Sequence, residues 1–73
     1  MSVAAADVVT QIGETAGRVY RSLEIKKDQS ADELRKSIKI NGDLLQQAIG
    51  WLARESKINL TTNLKGELRL SLR

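Results

Sequence analysis

Several residue types that carry chemistry are missing from this chain. It has no cysteine, which excludes disulfides and thiolate metal sites, and no histidine, the commonest general base and zinc ligand. It has no phenylalanine, one tryptophan and one tyrosine, so we expect an aliphatic core with Trp51 and Tyr20 as its largest side chains. There is no glycine-rich phosphate loop, and helix capping explains the acidic pair Asp32-Glu33. The sequence therefore predicts a protein that is not an enzyme and that holds no cofactor and no metal.

Long apolar runs are missing as well. None approaches the roughly 20 residues that a membrane span requires, and the first residues, MSVAAAD, lack the basic and apolar regions of a signal peptide. We therefore expect a cytoplasmic location, no membrane partner and no small-molecule substrate. The 73 residues suffice for a single domain over residues 1–73, with a disordered tail over residues 1–6.

The clearest helical pattern lies between Asn41 and Ser56. Asn41 is a good N-cap, and Ile40 before it with Leu45 after it matches a hydrophobic staple. Spacing of three and four residues predicts one buried stripe, formed by Leu45, Ala48, Ile49 and Leu52. The opposite side collects Asp43, Gln46, Gln47, Gly50 and Arg54. Glycine inside a helix is unfavourable, so Gly50 indicates either close approach by another backbone or simple tolerance.

Two further helices precede this one. The first is predicted from about Asp7 to Ile25, and Gly13 and Gly17 lie one turn apart at the edge of its apolar stripe. Small residues four apart let a neighbouring helix approach closely. They indicate either packing against the third helix, under Trp51, or a self-association surface.

The second helix is short and has a strong start signal. Ser30 and Glu33 form a capping box, which predicts a helix from Ala31 to about Ile38. The tetrapeptide KING, residues 39–42, then supplies a turn. A short capped helix, a tight turn and a longer amphipathic helix are the pattern of a helix-turn-helix, here about residues 30–56.

The end of the chain alternates between apolar and polar residues. Ile58 and Leu60 form one such run, Leu68 to Leu72 forms another, and NLKG between them, residues 63–66, has turn chemistry. Two half-buried strands must lay their apolar side on the helices. The pattern predicts a β-hairpin wing over about residues 57–72, with Leu64 exposed at its tip.

The chain resembles one family through four stretches that occur in this order: GETAGRVYRSL, the capped second helix, DLLQQAIGWLARESKI and the closing KGELRLSL. This family comprises the small stand-alone winged helix-turn-helix proteins of bacteria and archaea whose function is unassigned. The resemblance covers about residues 9–72. The resemblance implies an α+β fold, a three-helix bundle plus a C-terminal β-hairpin wing. It also implies a bacterial protein with a cytoplasmic location. It brings no functional residues to carry over.

Two functions remain open. In the first, a DNA-binding protein that resembles a transcription regulator inserts its third helix into the major groove of double-stranded DNA. The residues expected to touch DNA are Gln46, Gln47 and Arg54 on that helix, Lys36 and Lys39 near the end of the second helix, and Lys65 and Arg69 on the wing. In the second, the same scaffold contacts another protein, or a second copy of itself as a homodimer, without DNA binding.

The charge pattern does not decide between these functions. The net charge is only +3. The excess of positive charge lies in residues 57–73, which contain four basic residues and one acidic residue. DNA affinity comes largely from neutralised phosphates, yet the third helix carries Asp43 near its leading end. We attribute Asp43 to the helix dipole, because a carboxylate in the first turn is favourable.

Overall fold

A computed structural model describes residues 3–73, and the side chains of residues 8–73. Three helices are present: α1 (Val3–Ile25), α2 (Ala31–Ile38) and α3 (Gly42–Arg54). Three short strands complete the fold: β1 (Asp28–Ser30), β2 (Ile58–Thr62) and β3 (Leu68–Leu72). This is the predicted α+β arrangement of a helical bundle with a wing.

The first helix extends further toward the N-terminus than the sequence predicted. It begins at Val3 instead of near Asp7, so most of the stretch expected to be a tail is helical; Met1 and Ser2 lie outside the described residues. Residues 4–6 are alanines, and alanine has the highest helix propensity of all residues. Continuing the helix through them therefore costs little.

The core is aliphatic, as predicted, and lies where α1, α3 and the sheet meet. Its buried members are Ala16, Val19, Leu23, Leu34, Leu45, Ala48, Ile49, Leu52, Ile58 and Leu70. Tyr20 is half-buried and packs against this cluster. Trp51 was expected in the core, but 45% of it is exposed, so that prediction was wrong. Trp51 lies at the edge of the buried stripe of α3, and a thin core formed by aliphatic side chains leaves its indole at the surface.

Both predicted helix caps are present. The Ser30 side chain accepts a hydrogen bond from the Glu33 amide at 3.0 Å, and the Glu33 carboxylate accepts one from the Ser30 amide at 2.8 Å. Lys39 then ends α2 in a left-handed conformation, with a φ of 55°. Asn41 caps α3 by accepting from the Leu44 amide at 2.8 Å. Local sequence thus fixes the turn between α2 and α3.

The hairpin of β2 and β3 is held by Asn63 and Gly66. The Asn63 side-chain oxygen accepts hydrogen bonds from the amides of Lys65 at 2.9 Å and Glu67 at 3.0 Å. Gly66 has a φ of 81°, which glycine adopts without a steric penalty. Leu64, at the tip, is fully exposed as predicted.

The sheet has one strand more than predicted. Strand β1 pairs antiparallel with β3, and the strand order is β1-β3-β2. Gln29, in the middle of β1, is buried, and its amide nitrogen donates to the Ser22 carbonyl and hydroxyl and to the Lys26 carbonyl at 3.0–3.1 Å. One buried glutamine thus connects β1 to the C-terminal end of α1.

Candidate nucleic-acid interface

The buried stripe of α3 decides what the helix presents to its surroundings. Leu45, Ala48, Ile49 and Leu52 are each at most 3% exposed. The opposite side is therefore turned to solvent, and we call Gln46, Gln47, Gly50 and Arg54 the outer face of α3; all four are exposed. Asp43 at the start of the helix is exposed too.

The outer face of α3 is free to make contacts. Within the described part of the chain, the structure gives no side-chain hydrogen bond or ion pair to Gln46, Gln47 or Arg54. A β-carbon placed on Gly50 would meet no atom within 4 Å. Among the residues that the structure describes, no other backbone therefore requires the glycine, which leaves tolerance as the intramolecular explanation of Gly50.

The basic residues predicted to hold a DNA backbone fall into two groups. Lys39, in the turn before α3, and Lys65, in the wing turn, are exposed. Lys36 lies 3.1 Å from an Asp32 oxygen, and Arg69 lies 3.0 Å from an Asp28 oxygen. Lys36 and Arg69 thus already have anionic partners within the protein.

Strand β1 explains why Arg69 is paired. Because Asp28 to Ser30 lie alongside β3, the Arg69 guanidinium meets Asp28 and also approaches a Glu33 oxygen at 3.8 Å. The alternating pattern of residues 57–72 predicted Arg69 on a two-stranded wing, and it gives no sign of this acidic neighbour.

The acidic residues of α2 are held ionised by their neighbours. Hydrogen bonds from Lys36 and then Arg35 lower the pKa of Asp32 below its ordinary value. The Ser30 backbone amide, followed by Lys26, lowers the pKa of Glu33. These carboxylates stabilise the start of α2, and each makes the neighbouring cations less available to an outside anion.

Trp51 is the surface residue that the sequence analysis missed. It follows Gln47 by four residues and precedes Arg54 by three, so it borders the outer face of α3. It also forms one wall of a hollow of about 250 Å³ between α1 and α3, with Gly13, Gly17 and Tyr20 on the α1 side. The exposed Arg21 and Lys57 line the same hollow.

The hollow also bears on the two glycines of α1. A β-carbon on Gly13 would meet nothing within 4 Å, and one on Gly17 would meet only the Arg21 guanidinium, at 3.4 Å. Tight packing of α3 onto these glycines was one of the two readings of the sequence, and the structure does not show it. The glycines leave open space beside Trp51 instead.

Comparison with known proteins gives the family. The family model described as "Winged helix-turn-helix domain (DUF2582)" matches residues 8–72. The chain belongs to this winged helix-turn-helix family. A relative is the uncharacterised protein MJ1608 of Methanocaldococcus jannaschii, 42% identical over 55 residues that cover 71% of this chain and 77% of the relative. No solved structure gave a significant match.

The family assignment confirms the resemblance and the fold predicted from the sequence. A winged helix-turn-helix domain is compatible with contacts to nucleic acid or to protein. Over the described residues, no helix combines the length and the apolar character needed to cross a bilayer.

Proposed function

We propose that this winged helix-turn-helix protein binds double-stranded DNA without catalysing a reaction, as a cytoplasmic regulator of transcription would. The observation that supports the proposal is the exposed, unpaired outer face of α3, on a helix whose other side is fixed in the core. In helix-turn-helix domains the corresponding helix enters the major groove, with its early residues at the base edges.

Each residue of the proposed interface has a role that its chemistry suits. Gln46 and Gln47 would read base edges, since a glutamine amide can bond adenine at N6 and N7. Arg54 would contact a phosphate or a guanine. Lys39 and Lys65 would hold the DNA backbone on either side, because both are exposed and have no carboxylate within 4 Å in the described part of the chain.

Lys36 and Arg69 can join only by exchanging partners. Their ion pairs with Asp32 and Asp28 are solvent-exposed in part, and such pairs contribute little to stability. A phosphate can therefore replace the carboxylate at modest cost. We expect a smaller contribution to affinity from Lys36 and Arg69 than from Lys39 and Lys65.

Titration with duplex DNA tests this function. Amide signals of Gln46, Gln47, Arg54 and Lys65 should shift in an NMR titration, and affinity should fall steeply as salt rises. Asp43→Lys should tighten binding, because it replaces a repelling carboxylate at the leading end of α3. Glu24→Lys is the matched control, since it makes the same charge change at an exposed position of α1. Equal effects of the two substitutions would contradict insertion of α3.

The second candidate function is a contact to another protein or to a second copy of the chain. The observation in its favour is the largely uncharged outer face of α3 bordered by the exposed Trp51. In that case duplex DNA would leave the amide spectrum unchanged, and light scattering would show a mass that rises with protein concentration.

A further inference from the structure

The surface around Trp51 combines the two aromatic side chains of the protein with cations. Trp51 is 45% exposed, and together with Tyr20, Arg21 and Lys57 it lines the hollow between α1 and α3. Trp51, Arg54 and Glu55 line a second, smaller hollow. We call Trp51, Tyr20, Arg21, Arg54 and Lys57 the Trp51 surface.

The hollow beside the indole is shaped by missing side chains. Gly13 and Gly17 form part of its α1 wall, and at neither position would an added β-carbon meet a core atom. Its volume of about 250 Å³ lies just under the range of pockets for drug-sized ligands, roughly 300–1,000 Å³. A single flat ring system can therefore lie against Trp51.

The cations of the Trp51 surface are not neutralised within the protein. In the described part of the chain, Arg21, Arg54 and Lys57 have no carboxylate within 4 Å, whereas all five ion pairs of that part involve Asp28, Asp32 or Glu33. The Arg21 guanidinium lies over Gly17, at the hollow itself.

The residues that line the two hollows carry more positive than negative charge. Arg21 and Lys57 line the first hollow, and Arg54 lines the second. Glu55 is the acidic residue that shares a hollow with Trp51. Cations thus exceed acids around the indole, and an anionic partner is favoured there.

We infer that the Trp51 surface binds single-stranded nucleic acid. One base stacks on the indole in the hollow, and the adjoining phosphates lie against Arg21, Lys57 and Arg54. Single-strand binding combines a cationic surface along the backbone with aromatic side chains on which bases stack. A base paired inside a duplex has no free face to offer Trp51. The inference goes beyond the proposed function, because it concerns another form of nucleic acid and a surface that shares only Arg54 with the proposed duplex interface.

Trp51 itself is the reporter for the test, since the chain has one tryptophan. We expect saturable quenching of its emission by an oligothymidylate of about 12 nucleotides, within the site sizes of known single-strand binding folds. With three phosphates neutralised, the logarithm of affinity should fall with the logarithm of salt concentration with a slope of about −2.

Substitutions then locate the binding surface. Arg21→Gln and Lys57→Gln should each weaken binding and make the salt slope about 0.7 less steep. The matched control is Lys27→Gln, which removes the same charge at an exposed position between α1 and β1 and should leave the slope unchanged. Trp51→Ala, followed with a labelled oligonucleotide, should lower affinity roughly 5- to 150-fold, the range for loss of one base stack.

Several results would overturn the inference. One is quenching that does not saturate, and another is an equal effect of Lys27→Gln and Arg21→Gln. A shift of the indole emission with protein concentration alone would mean that a second copy covers the Trp51 surface. Quenching by benzoate as strong as that by the oligonucleotide would mean a small-molecule site instead.

The same experiments separate this inference from the proposed function. Replacing Gln46 and Gln47 by alanine should weaken duplex binding and leave oligothymidylate binding intact. Arg21→Gln should do the reverse. Undiminished duplex binding by the Gln46 and Gln47 variant would refute the proposed function alone, and undiminished oligothymidylate binding by Arg21→Gln would refute this inference alone.

Discussion

Replacing Gly13 and Gly50 by alanine should stabilise the protein. Both glycines lie inside helices, where glycine is roughly 0.8–1 kcal/mol less favourable than alanine. At both positions an added β-carbon would meet no atom within 4 Å, so no clash offsets the gain. Because neither added β-carbon contacts another side chain or helix, we expect the two effects to add to about 1.5–2 kcal/mol.

The effect is large enough to measure by thermal unfolding. In a domain of this size, 1 kcal/mol shifts Tm by about 4–8 °C, so the double variant should melt roughly 6–16 °C higher in far-UV circular dichroism. Gly66→Ala is the matched control, because its φ of 81° strains alanine, and its Tm should fall. A lower Tm for Gly13→Ala or Gly50→Ala would refute the reasoning, since it would show that the fold itself requires the glycine.

Three other predictions follow from burial and charge. Trp51→Ala should lower the free energy of unfolding, measured by urea titration, by about 1–2 kcal/mol, because nearly half of the residue is already exposed. A core tryptophan would cost about 3–5 kcal/mol, so a loss above about 3 kcal/mol would contradict the surface position of Trp51. Gln29→Ala should cost about 1–3 kcal/mol, because it removes the hydrogen bonds by which the buried Gln29 side chain holds β1 against the end of α1. An unchanged urea midpoint would contradict that role. The pKa values of Asp32 and Glu33 are lowered in the folded protein. The stability that these two carboxylates contribute is therefore fully present above their ordinary pKa values of 3.8 and 4.5, and it is lost as pH falls through the lowered pKa values. In acid titrations followed by circular dichroism, Asp32→Asn should make this loss of stability less steep.

Local signals in the sequence predicted most of the fold. The Ser30-Glu33 capping box and the Asn41 cap each satisfy backbone amides within three residues, so the residues that matter are neighbours in the chain. The apolar residues from Leu45 to Leu52 recur with the period of an α-helix and are buried as predicted. The wing followed from strict alternation and from the turn residues Asn63 and Gly66.

The features that were missed depend on residues far apart in the chain. Strand β1 is three polar residues with no alternation of apolar side chains, and it exists because β3 lies beside it. Nothing near Gln29 in the sequence shows that its side chain is buried. The ion pair between Arg69 and Asp28 joins residues 41 positions apart, so the charge pattern along the chain did not reveal it.

The proposed interface was predictable only in part, for a similar reason. The exposure of Gln46, Gln47 and Arg54 follows directly from the buried stripe of α3. The position of Trp51 does not, because apolar residues occur on surfaces as well as in cores. Its exposure reflects how far the aliphatic core extends beneath α3, and that extent is a property of the assembled fold.

The strand order has a consequence for how the molecule assembles. The middle strand, β3, comes last in the chain, while one of its two neighbours, β1, lies 43 positions earlier at the pairing of Asp28 with Ser71. Both edge strands, β1 and β2, pair only with β3, so neither can join a sheet until residues 68–72 are in place. Closing so long a loop carries an entropic cost that only the finished sheet repays. A purified fragment that stops at residue 67 should therefore contain helix but remain open to proteases, and extension through residue 72 should make the chain resistant.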